Sequence, residues 1–450
     1  MDKKLPFLGY LAIGLMLFSL FFGGGNLIFP AFLGQQSGTN IWISILGFIL
    51  SGVGLPLLAI LAIGVSGQEN VRLLAARVHP IYGVIYSMLL YLAIGPLFAL
   101  PRTGTVSFEI GIAPFTGGGS MQLALYTIFF FVITLWLSLN PAKMVDRIGK
   151  VLSPIMLLFI LFLIVMSFVK PLGEQTAPQG SYATEPFFNG FIQGYNTLDA
   201  LAALAFGIIV INAVKLYGVK SKKAVGIAML KSGVIGVGFL ALVYVFVGYI
   251  GSTSVNALGL AENGAPILSG AANYYLGRFG QIILAVIIIL ACLTTSIGLT
   301  TACAAFFNKL APRFGYKTYA VIFTVFSCFV ANVGLTNLIE FSLPILLMLY
   351  PLTIVLILLV LLDPLFKGRQ AVYVSTMIPT AIISIIEGIH GFGISLGAID
   401  TLFKEYVPLY NVSLGWLTFS IAGFLLGLII SKVKPIELLR TEKAKANNEF

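Results

Sequence analysis

The chain has 450 residues, of which 59% are hydrophobic and only 9% are charged. A soluble domain needs roughly a quarter of its residues charged to cover its surface, so this composition excludes an ordinary soluble protein. The formal net charge of +10 would by itself fit a nucleic-acid partner, but the positions of the charges, given below, point elsewhere.

Apolar blocks of about 20 residues or more, the length of a helix that crosses a bilayer, follow one another along the chain. We count about twelve, at 7–35, 41–66, 80–112, 121–139, 146–169, 186–213, 224–250, 278–308, 318–335, 338–362, 372–392 and 412–431. Because the sequence lacks the short segments of alternating polarity that are typical of a β-barrel, we predict an all-α integral membrane protein. A single transmembrane domain would then occupy residues 1–431, followed by a basic tail at 432–450.

Positive residues are distributed unevenly between the joints that separate the blocks. The two termini and every second joint together hold 21 Lys and Arg residues, whereas the other joints hold only Lys170, Arg278 and Lys404. By the positive-inside rule, the side of the membrane that holds more Lys and Arg residues is cytoplasmic. This predicts a multi-pass protein of a bacterial-type inner membrane with both termini in the cytoplasm. It also explains the basic charge, so we expect a lipid bilayer as partner and no nucleic acid.

The first block is interrupted near its middle by the sequence Phe21-Phe22-Gly23-Gly24-Gly25-Asn26. Each glycine costs about 1 kcal/mol against alanine in a helix. Irregular backbone inside a bilayer is tolerated only where protein or a water-lined cavity satisfies its polar groups. We therefore predict that the helix unwinds here, beside a cavity for a substrate. Close helix packing through small residues is the alternative, and three adjacent glycines fit it less well than a spaced stripe would.

The sixth block is interrupted at a similar depth by Gly194-Tyr195-Asn196-Thr197-Leu198-Asp199. A carboxylate in an apolar segment is expensive unless it is paired or faces water, so Asp199 could bind a cation or carry a proton. Capping the second half of the helix is a third role, and a common one for Asp at a helix start. Interrupted helices at corresponding positions of two halves indicate an inverted repeat with its site at the midplane.

The eighth block contains the sequence Ala291-Cys292-Leu293-Thr294-Thr295-Ser296. Positions 291, 294 and 295 share one helix face because they are spaced i, i+3, i+4. A carbonyl and two hydroxyls on one face are hard oxygen ligands that suit Na⁺ without a carboxylate. For Thr300 and Thr301 we expect the usual bond from the hydroxyl to its own helical turn.

Among the other charged side chains within blocks, Arg102, Glu109 and Glu387 need an interpretation. Arg102 and Glu109 are seven residues apart in the third block, so they share nearly one face but lie about 10 Å apart along the axis. A gate contact or a pathway lining is one interpretation. The other is structural pairing with different helices, or an interfacial position for Glu109. Glu387 lies near the outer end of its block, where we expect it to be solvated.

Several of these motifs resemble one known family. The stretches Phe21 to Pro30 (FFGGGNLIFP), Gly52 to Leu57 (GVGLPL), Gly95 to Thr103 (GPLFALPRT), Val106 to Glu109 (VSFE) and Gly194 to Gly207 are similar to the branched-chain amino acid:cation symporter family. The likeness covers nearly the whole chain. It implies the leucine-transporter fold of the amino acid–polyamine–organocation superfamily. In that fold, two inverted five-helix repeats, here about 7–169 and 186–362, contain discontinuous helices one and six, and two extra helices would follow at about 372–431.

The resemblance also implies an activity and an ion site. Members of the family take up leucine, isoleucine and valine together with Na⁺ or H⁺. Because the eighth block is similar to the sodium-site segment of the fold, the resemblance implies a Na⁺ site. Its ligands would be the carbonyl of Ala291, the hydroxyls of Thr294 and Thr295, and carbonyls near Ser19 and Phe22.

We therefore expect a secondary active symporter that couples branched-chain amino acids to Na⁺ by alternating access, with H⁺ coupling as the alternative. The substrate carboxylate would meet backbone amides of the first break, its ammonium the carbonyls of the sixth-helix break, and its aliphatic side chain the third, sixth and eighth helices. The residues predicted to bind substrate are Phe21, Gly23, Gly24, Gly25, Asn26, Gly194, Tyr195, Asn196, Thr197 and Thr295. Arg102, Glu109 and Asp199 are the candidates for a gate or for coupling.

Two other classes fit less well. An ion channel usually forms a pore between subunits, whereas two broken helices within one chain favour a carrier. A membrane enzyme would need a nucleophile with a base, or a metal pair, inside the helices, and the sequence shows neither. We expect no cofactor beyond the coupling ion.

Overall fold

The computed structural model describes residues 5–68, 70–139, 158–219 and 221–433. Within these ranges the regular structure is helical. We number the principal helices α1 (Phe7–Phe21), α2 (Gly25–Ser37), α3 (41–66), α4 (Pro80–Gly111), α5 (Ser120–Ser138), α6 (Leu158–Val169), α7 (Pro186–Gln193), α8 (Asp199–Leu216), α9 (Lys222–Ser252), α10 (Gly264–Leu310), α11 (Gly315–Ala331), α12 (Leu335–Leu361), α13 (Gln370–Gly391) and α14 (Trp416–Val433).

Membrane-spanning length and composition are met by eight helical stretches of the described residues, or by nine if the two parts of α8, bent by 49°, count as one span. Each of the predicted blocks falls on helix, although residues 146–157 of the fifth block lie outside the described residues. The all-α, multi-pass class is therefore confirmed, and the structure is consistent with about twelve crossings. Of the predicted tail, residues 434–450 also lie outside the described residues.

The first and sixth helices are discontinuous, as the sequence predicts. α1 ends at Phe21, Phe22 adopts extended backbone with φ −73° and ψ 104°, and α2 starts at Gly25. The second interruption is a 3₁₀ turn at Gly194–Thr197, followed by Leu198 in the left-handed region at φ 63°. A positive φ is uncommon for a residue other than glycine, so surrounding contacts must hold Leu198 in place.

Helix α4, which corresponds to the third predicted block, carries an irregularity that the sequence did not predict. α4 contains a π-helical turn at Ala93–Leu97, and Gly95 within it departs from helical geometry with φ −99° and ψ −122°. The following Pro96 explains the turn, because proline has no N–H to continue the helical bonds and clashes with the preceding turn. The kink lies beside the cavity described below.

The two broken helices lie at the centre of the structure. α9 packs along α1 and α2, α3 packs on α7, α8 and α9, and α4 pairs with α10. Between α2 and α9 the backbones approach so closely that a Cβ on Gly251 would lie 2.0 Å from the carbonyl oxygen of Ala31. Small residues permit such approaches between membrane helices, where dispersion contacts rather than the hydrophobic effect drive association.

This close approach gives a stability prediction with a matched control on the same helix. Gly251→Ala should destabilise the protein by about 1–3 kcal/mol, because the added methyl forces α9 away from α2. Gly238→Ala should leave stability unchanged or slightly raised, since no atom lies within 4 Å of a Cβ at Gly238 and alanine favours helix. Thermal unfolding of the purified variants in detergent checks both. Equal melting temperatures for the two variants would contradict the packing described here.

The two helices beyond the five-plus-five core form a pair, with α13 packed on both α14 and α12. Near the end of α13, Glu387 is only 3% exposed, so the prediction that it is solvated is wrong. Its Oε1 accepts a hydrogen bond of 2.6 Å from the amide of Gly415, next to the start of α14. A carboxylate is favourable there because the first amides of a helix have no partner within the helix.

Candidate functional site

A cavity lies at the junction of the two interrupted helices. It is bordered by both breaks, by the kinked part of α4 and by the middle of α10. Its lining residues are Leu20, Phe21, Gly23, Gly24, Gly25, Asn26, Ile94, Ala99, Arg102, Thr103, Thr197, Leu198, Asp199, Ala202, Phe206, Thr295 and Leu299. Seven of the ten residues predicted from sequence to bind substrate line it, namely Phe21, Gly23, Gly24, Gly25, Asn26, Thr197 and Thr295.

The first break leaves peptide groups outside the regular helical pattern. The amide of Gly23, which would continue α1 by bonding to the carbonyl of Ser19, instead donates to Oδ1 of Asn26 at 2.8 Å. Neither Gly24 nor Gly25 donates its amide to a backbone acceptor among the described residues. The positive end of the α2 dipole therefore lies at the cavity wall.

Three of the four carbonyls of the second break accept hydrogen bonds, whereas we expected the carbonyls there to be free. The Gly194 carbonyl accepts from the Thr197 hydroxyl at 2.9 Å, and the Tyr195 carbonyl accepts from the Leu198 amide at 3.1 Å. The Asn196 carbonyl accepts from the guanidinium of Arg102. Gly194, Tyr195 and Asn196 are buried but do not line the cavity, so their part in substrate binding stays a prediction.

Asp199 is the first residue of α8, yet it does not cap that helix. Position 198 is the N-cap and makes no side-chain capping bond. The Oδ2 atom of Asp199 instead accepts hydrogen bonds from Asn26 Nδ2 at 2.8 Å and from the Tyr244 hydroxyl at 2.6 Å. The capping interpretation is therefore wrong. Asp199 connects α8 with α2 and α9, and it is 2% exposed.

The predicted sodium ligands lie on α10 and around the end of α1. Thr295 faces the first break, since a Cβ on Gly23 would lie 3.4 Å from its Oγ1. The Thr294 hydroxyl donates to the Ala291 carbonyl at 2.8 Å, which leaves lone pairs on both oxygens. Of the predicted sodium ligands only Thr295 lines the cavity, while Ser19 and Phe22 lie at the end of α1 without lining it.

Arg102 and Glu109 point to different partners. Arg102 is 4% exposed, donates to the Asn196 carbonyl and to Ser342 Oγ at 3.0 Å, and stacks over the Phe29 ring at 4.9 Å. Glu109 accepts from Asn263 Nδ2 at 3.2 Å, just before α10 begins. The two side chains therefore belong to separate contacts. Whether either forms a gate stays a prediction.

From the sequence, we expected the substrate's aliphatic side chain to contact the third, sixth and eighth blocks, without naming residues. These blocks correspond to α4, α7 with α8, and α10. The structure supplies Ile94, Ala99, Ala202, Phe206 and Leu299 from those helices. It also shows Tyr244 and Ser342 as partners of the two charged side chains. A single tyrosine or serine in an apolar helix carries no local signal of such a contact. Only tertiary packing identifies it.

Comparison with solved structures defines the class of fold. The solved structure of MhsT in complex with L-phenylalanine matches with a TM-score of 0.57 at 13% identity, over 96% of this chain and 99% of that one. A nucleobase-cation-symport-1 family transporter, in a closed conformation with bromovinylhydantoin bound, gives a TM-score of 0.61 at 15% identity, over 95% and 93%. At such low identities these matches show the fold alone, which is the leucine-transporter fold expected from the sequence.

The sequence comparisons define the family. A profile described as branched-chain amino acid transport protein matches residues 8–434. The branched-chain amino acid permease BrnQ of Bacillus subtilis (strain 168) is 47% identical over 433 residues, 96% of this chain and 98% of that protein. The branched-chain amino acid transport system 2 carrier protein of Pseudomonas aeruginosa is 44% identical over 410 residues, 90% and 92% of the two chains. The chain belongs to the branched-chain amino acid transport protein family, and it is a transporter, not an enzyme.

Proposed function

We propose that the protein is a symporter that imports leucine, isoleucine and valine with Na⁺ by alternating access. The observation that carries the proposal is the cavity where both broken helices meet, with peptide groups on one side and aliphatic side chains on the other. Relatives named as branched-chain amino acid permeases and carriers support the substrate class. The clustering of positive residues supports a bacterial-type cell membrane location with both termini in the cytoplasm.

The substrate carboxylate would lie at the start of α2. The Gly25 amide has no backbone acceptor among the described residues, the Gly24 amide faces the sulfur of Cys292, and the helix dipole favours a negative group there. The aliphatic side chain would pack against Ile94, Ala202 and Leu299, which line the same cavity. An apolar pocket discriminates by only about 1–3 kcal/mol per methylene, which suits a carrier for several aliphatic amino acids.

The sodium ion would lie between α10 and the end of α1. Thr295 lies beside Gly23, and Thr294 with the Ala291 carbonyl lies on the same face of α10. An ion held by these oxygens and by carbonyls of the first break would fix the backbone that also presents amides to the substrate. Ion binding would thereby stabilise the substrate site. That shared segment is the physical basis of the proposed coupling.

Coupling to H⁺ is the second candidate, and one observation favours it. Asp199 is a carboxylate that lines the cavity, and its hydrogen-bond partners Asn26 and Tyr244 are both uncharged. A buried carboxylate without a cationic partner can be neutralised by a proton.

Reconstituted liposomes distinguish the two ions when one gradient is varied at a time. We expect an inward Na⁺ gradient at equal pH to drive leucine accumulation, with isoleucine and valine competing. An inward pH gradient in Na⁺-free buffer should give no more accumulation than protein-free liposomes. Leucine uptake driven equally well by the pH gradient without Na⁺ would overturn the sodium assignment and favour H⁺. Absence of leucine uptake under every gradient would overturn the proposed function itself.

A further inference from the structure

The cavity wall contains one cationic and one anionic side chain among its described lining residues, Arg102 and Asp199. They come from different parts of the fold, since Arg102 lies in α4 and Asp199 starts α8. They are not paired with each other, because each hydrogen-bonds to uncharged partners. The cavity therefore offers one unpaired charge of each sign.

Arg102 has unused hydrogen-bonding capacity. Its guanidinium carries five N–H donors. Among the described residues two of them are used, one on the Asn196 carbonyl and one on Ser342 Oγ. The Nε–H is buried and has no acceptor. Since all its partners are neutral, including the Phe29 ring, the positive charge of Arg102 lacks a counter-charge in the part of the chain described.

Asp199 lacks a positively charged partner among the described residues. Both of its side-chain hydrogen bonds from Asn26 and Tyr244 fall on Oδ2. Neither donor carries a charge, and no Lys, Arg or His of the described residues lies within ion-pair distance of Asp199. The residue is 2% exposed, so water does little to solvate its charge.

A buried charge without a partner costs several kcal/mol, and this cost is recovered only when an opposite charge is added with good hydrogen bonds. One ligand that adds both charges at once is a zwitterion. We propose that Arg102 binds the α-carboxylate of the substrate and that Asp199 binds its α-ammonium. This inference rests on the proposed function, and it assigns to two side chains what the sequence assigned to backbone groups alone. It makes the charged ends of the amino acid, rather than its aliphatic group, the main determinant of recognition.

The occupied carbonyls of the second break support this assignment. Residues 194, 195 and 196 do not line the cavity and their carbonyls each already accept a hydrogen bond, so the ammonium gains more from the carboxylate of Asp199, which does line it. For the carboxylate, Arg102 complements the amides at the start of α2, which line the same cavity. Charge-assisted hydrogen bonds are roughly twice as strong as neutral ones, so two such contacts would dominate affinity.

The test removes one charge from the ligand and the matching charge from the protein. Leucine, 4-methylpentanoate (leucine without its ammonium) and 3-methylbutylamine (leucine without its carboxylate) compete with labelled leucine for purified protein in saturating Na⁺. In the unaltered protein each truncated ligand should bind about 100-fold or more weakly than leucine. Asp199→Asn should lower leucine affinity by a similar factor and leave that of 4-methylpentanoate within about threefold. Arg102→Gln should lower leucine affinity by a similar factor and leave the affinity for 3-methylbutylamine within about threefold. Removing both members of a contacting pair costs little more than removing one, because their losses are not additive.

Glu387→Gln is the matched control, since it neutralises a carboxylate of similar burial that lies on α13 and does not line this cavity. It should leave leucine affinity within about twofold. Two results would overturn the inference: an Asp199→Asn protein that binds leucine normally but loses ion-driven accumulation, or one that loses leucine and 4-methylpentanoate equally. If either variant fails to fold, binding of the truncated ligands to the unaltered protein still tests the inference. A truncated ligand that binds as tightly as leucine would show that the missing charge is not recognised. Loss of leucine binding in the unaltered protein would instead contradict the proposed function.

Discussion

Gly24→Ala should reduce leucine uptake about tenfold or more, since overpacking costs about 1–3 kcal/mol and 1.4 kcal/mol corresponds to a factor of ten. A Cβ on Gly24 would lie 2.6 Å from Cγ1 of Val106 and 2.9 Å from Sγ of Cys292. The first break would have to move away from α4 and α10, and the amides proposed to hold the substrate carboxylate would move with it. Initial uptake rates in liposomes, normalised to the amount of reconstituted protein, measure the effect.

A compensating variant makes this prediction specific. Val106→Ala removes the nearest of the clashing atoms without altering a cavity-lining residue. Uptake by the double variant Gly24→Ala, Val106→Ala should therefore exceed that of Gly24→Ala alone, while Val106→Ala alone should remain close to the unaltered protein. Normal uptake by Gly24→Ala would show that the break does not approach α4 and α10 as closely as described. A melting temperature measured in detergent separates loss of transport from loss of fold.

The second large effect is expected from Thr294→Ala combined with Thr295→Ala. If both hydroxyls ligate Na⁺, their removal should raise the half-saturating Na⁺ concentration by about tenfold or more, which corresponds to about 1.4 kcal/mol of lost binding free energy. Leucine uptake measured over a range of Na⁺ concentrations gives this value directly. Maximal uptake at high Na⁺ should fall less than the affinity for the ion, because neither substitution fills the cavity.

Thr300→Ala serves as the control for removing a hydroxyl from α10. Thr300 is buried on the same helix but does not line the cavity, so its loss should leave sodium dependence unchanged. An unchanged sodium affinity in the double threonine variant would mean that the ion binds to another face. A similar loss in Thr300→Ala would mean that α10 responds to any lost hydroxyl, without a site at Thr294 and Thr295.

Both helix breaks could be predicted because each leaves a local signal. Three adjacent glycines in the first block are unfavourable in any helix, and Asp199 is unfavourable in any apolar segment. The class of fold follows from block length and charge asymmetry, which are also properties of the chain alone. These signals located the two interruptions and most of the lining around them.

Contacts between distant segments could not be predicted, because the sequence does not indicate which polar groups meet. Asn26 and Asp199 are 173 residues apart, and Arg102 and Asn196 are 94 apart. Knowing that a carboxylate lies within the membrane therefore did not reveal Asn26 and Tyr244 as its partners. Of the three roles considered for Asp199, capping fails for this reason, since it took account only of neighbours in sequence.

Two further expectations are wrong because they were based on each residue's own helix and not on the helices packed against it. The hydroxyls of Thr300 and Thr301 are buried without an acceptor among the described residues, so the expected bonds to their own turn are absent there. Glu387 was expected to be solvated because of its position near a helix end. The start of α14 covers it and supplies an amide as donor, a neighbour that the sequence of α13 does not indicate.

The hydrogen bonds that tie Asn26 and Tyr244 to Asp199 have a consequence for efficiency. They fasten the half-helices α2 and α8 to one another and to α9, in a region shielded from solvent. Pulling one half-helix away alone would strand a carboxylate and an amide without partners, at a penalty of several kcal/mol. Conformers with only one break displaced are thus disfavoured, which in the proposed symport would limit transport of the ion without the amino acid.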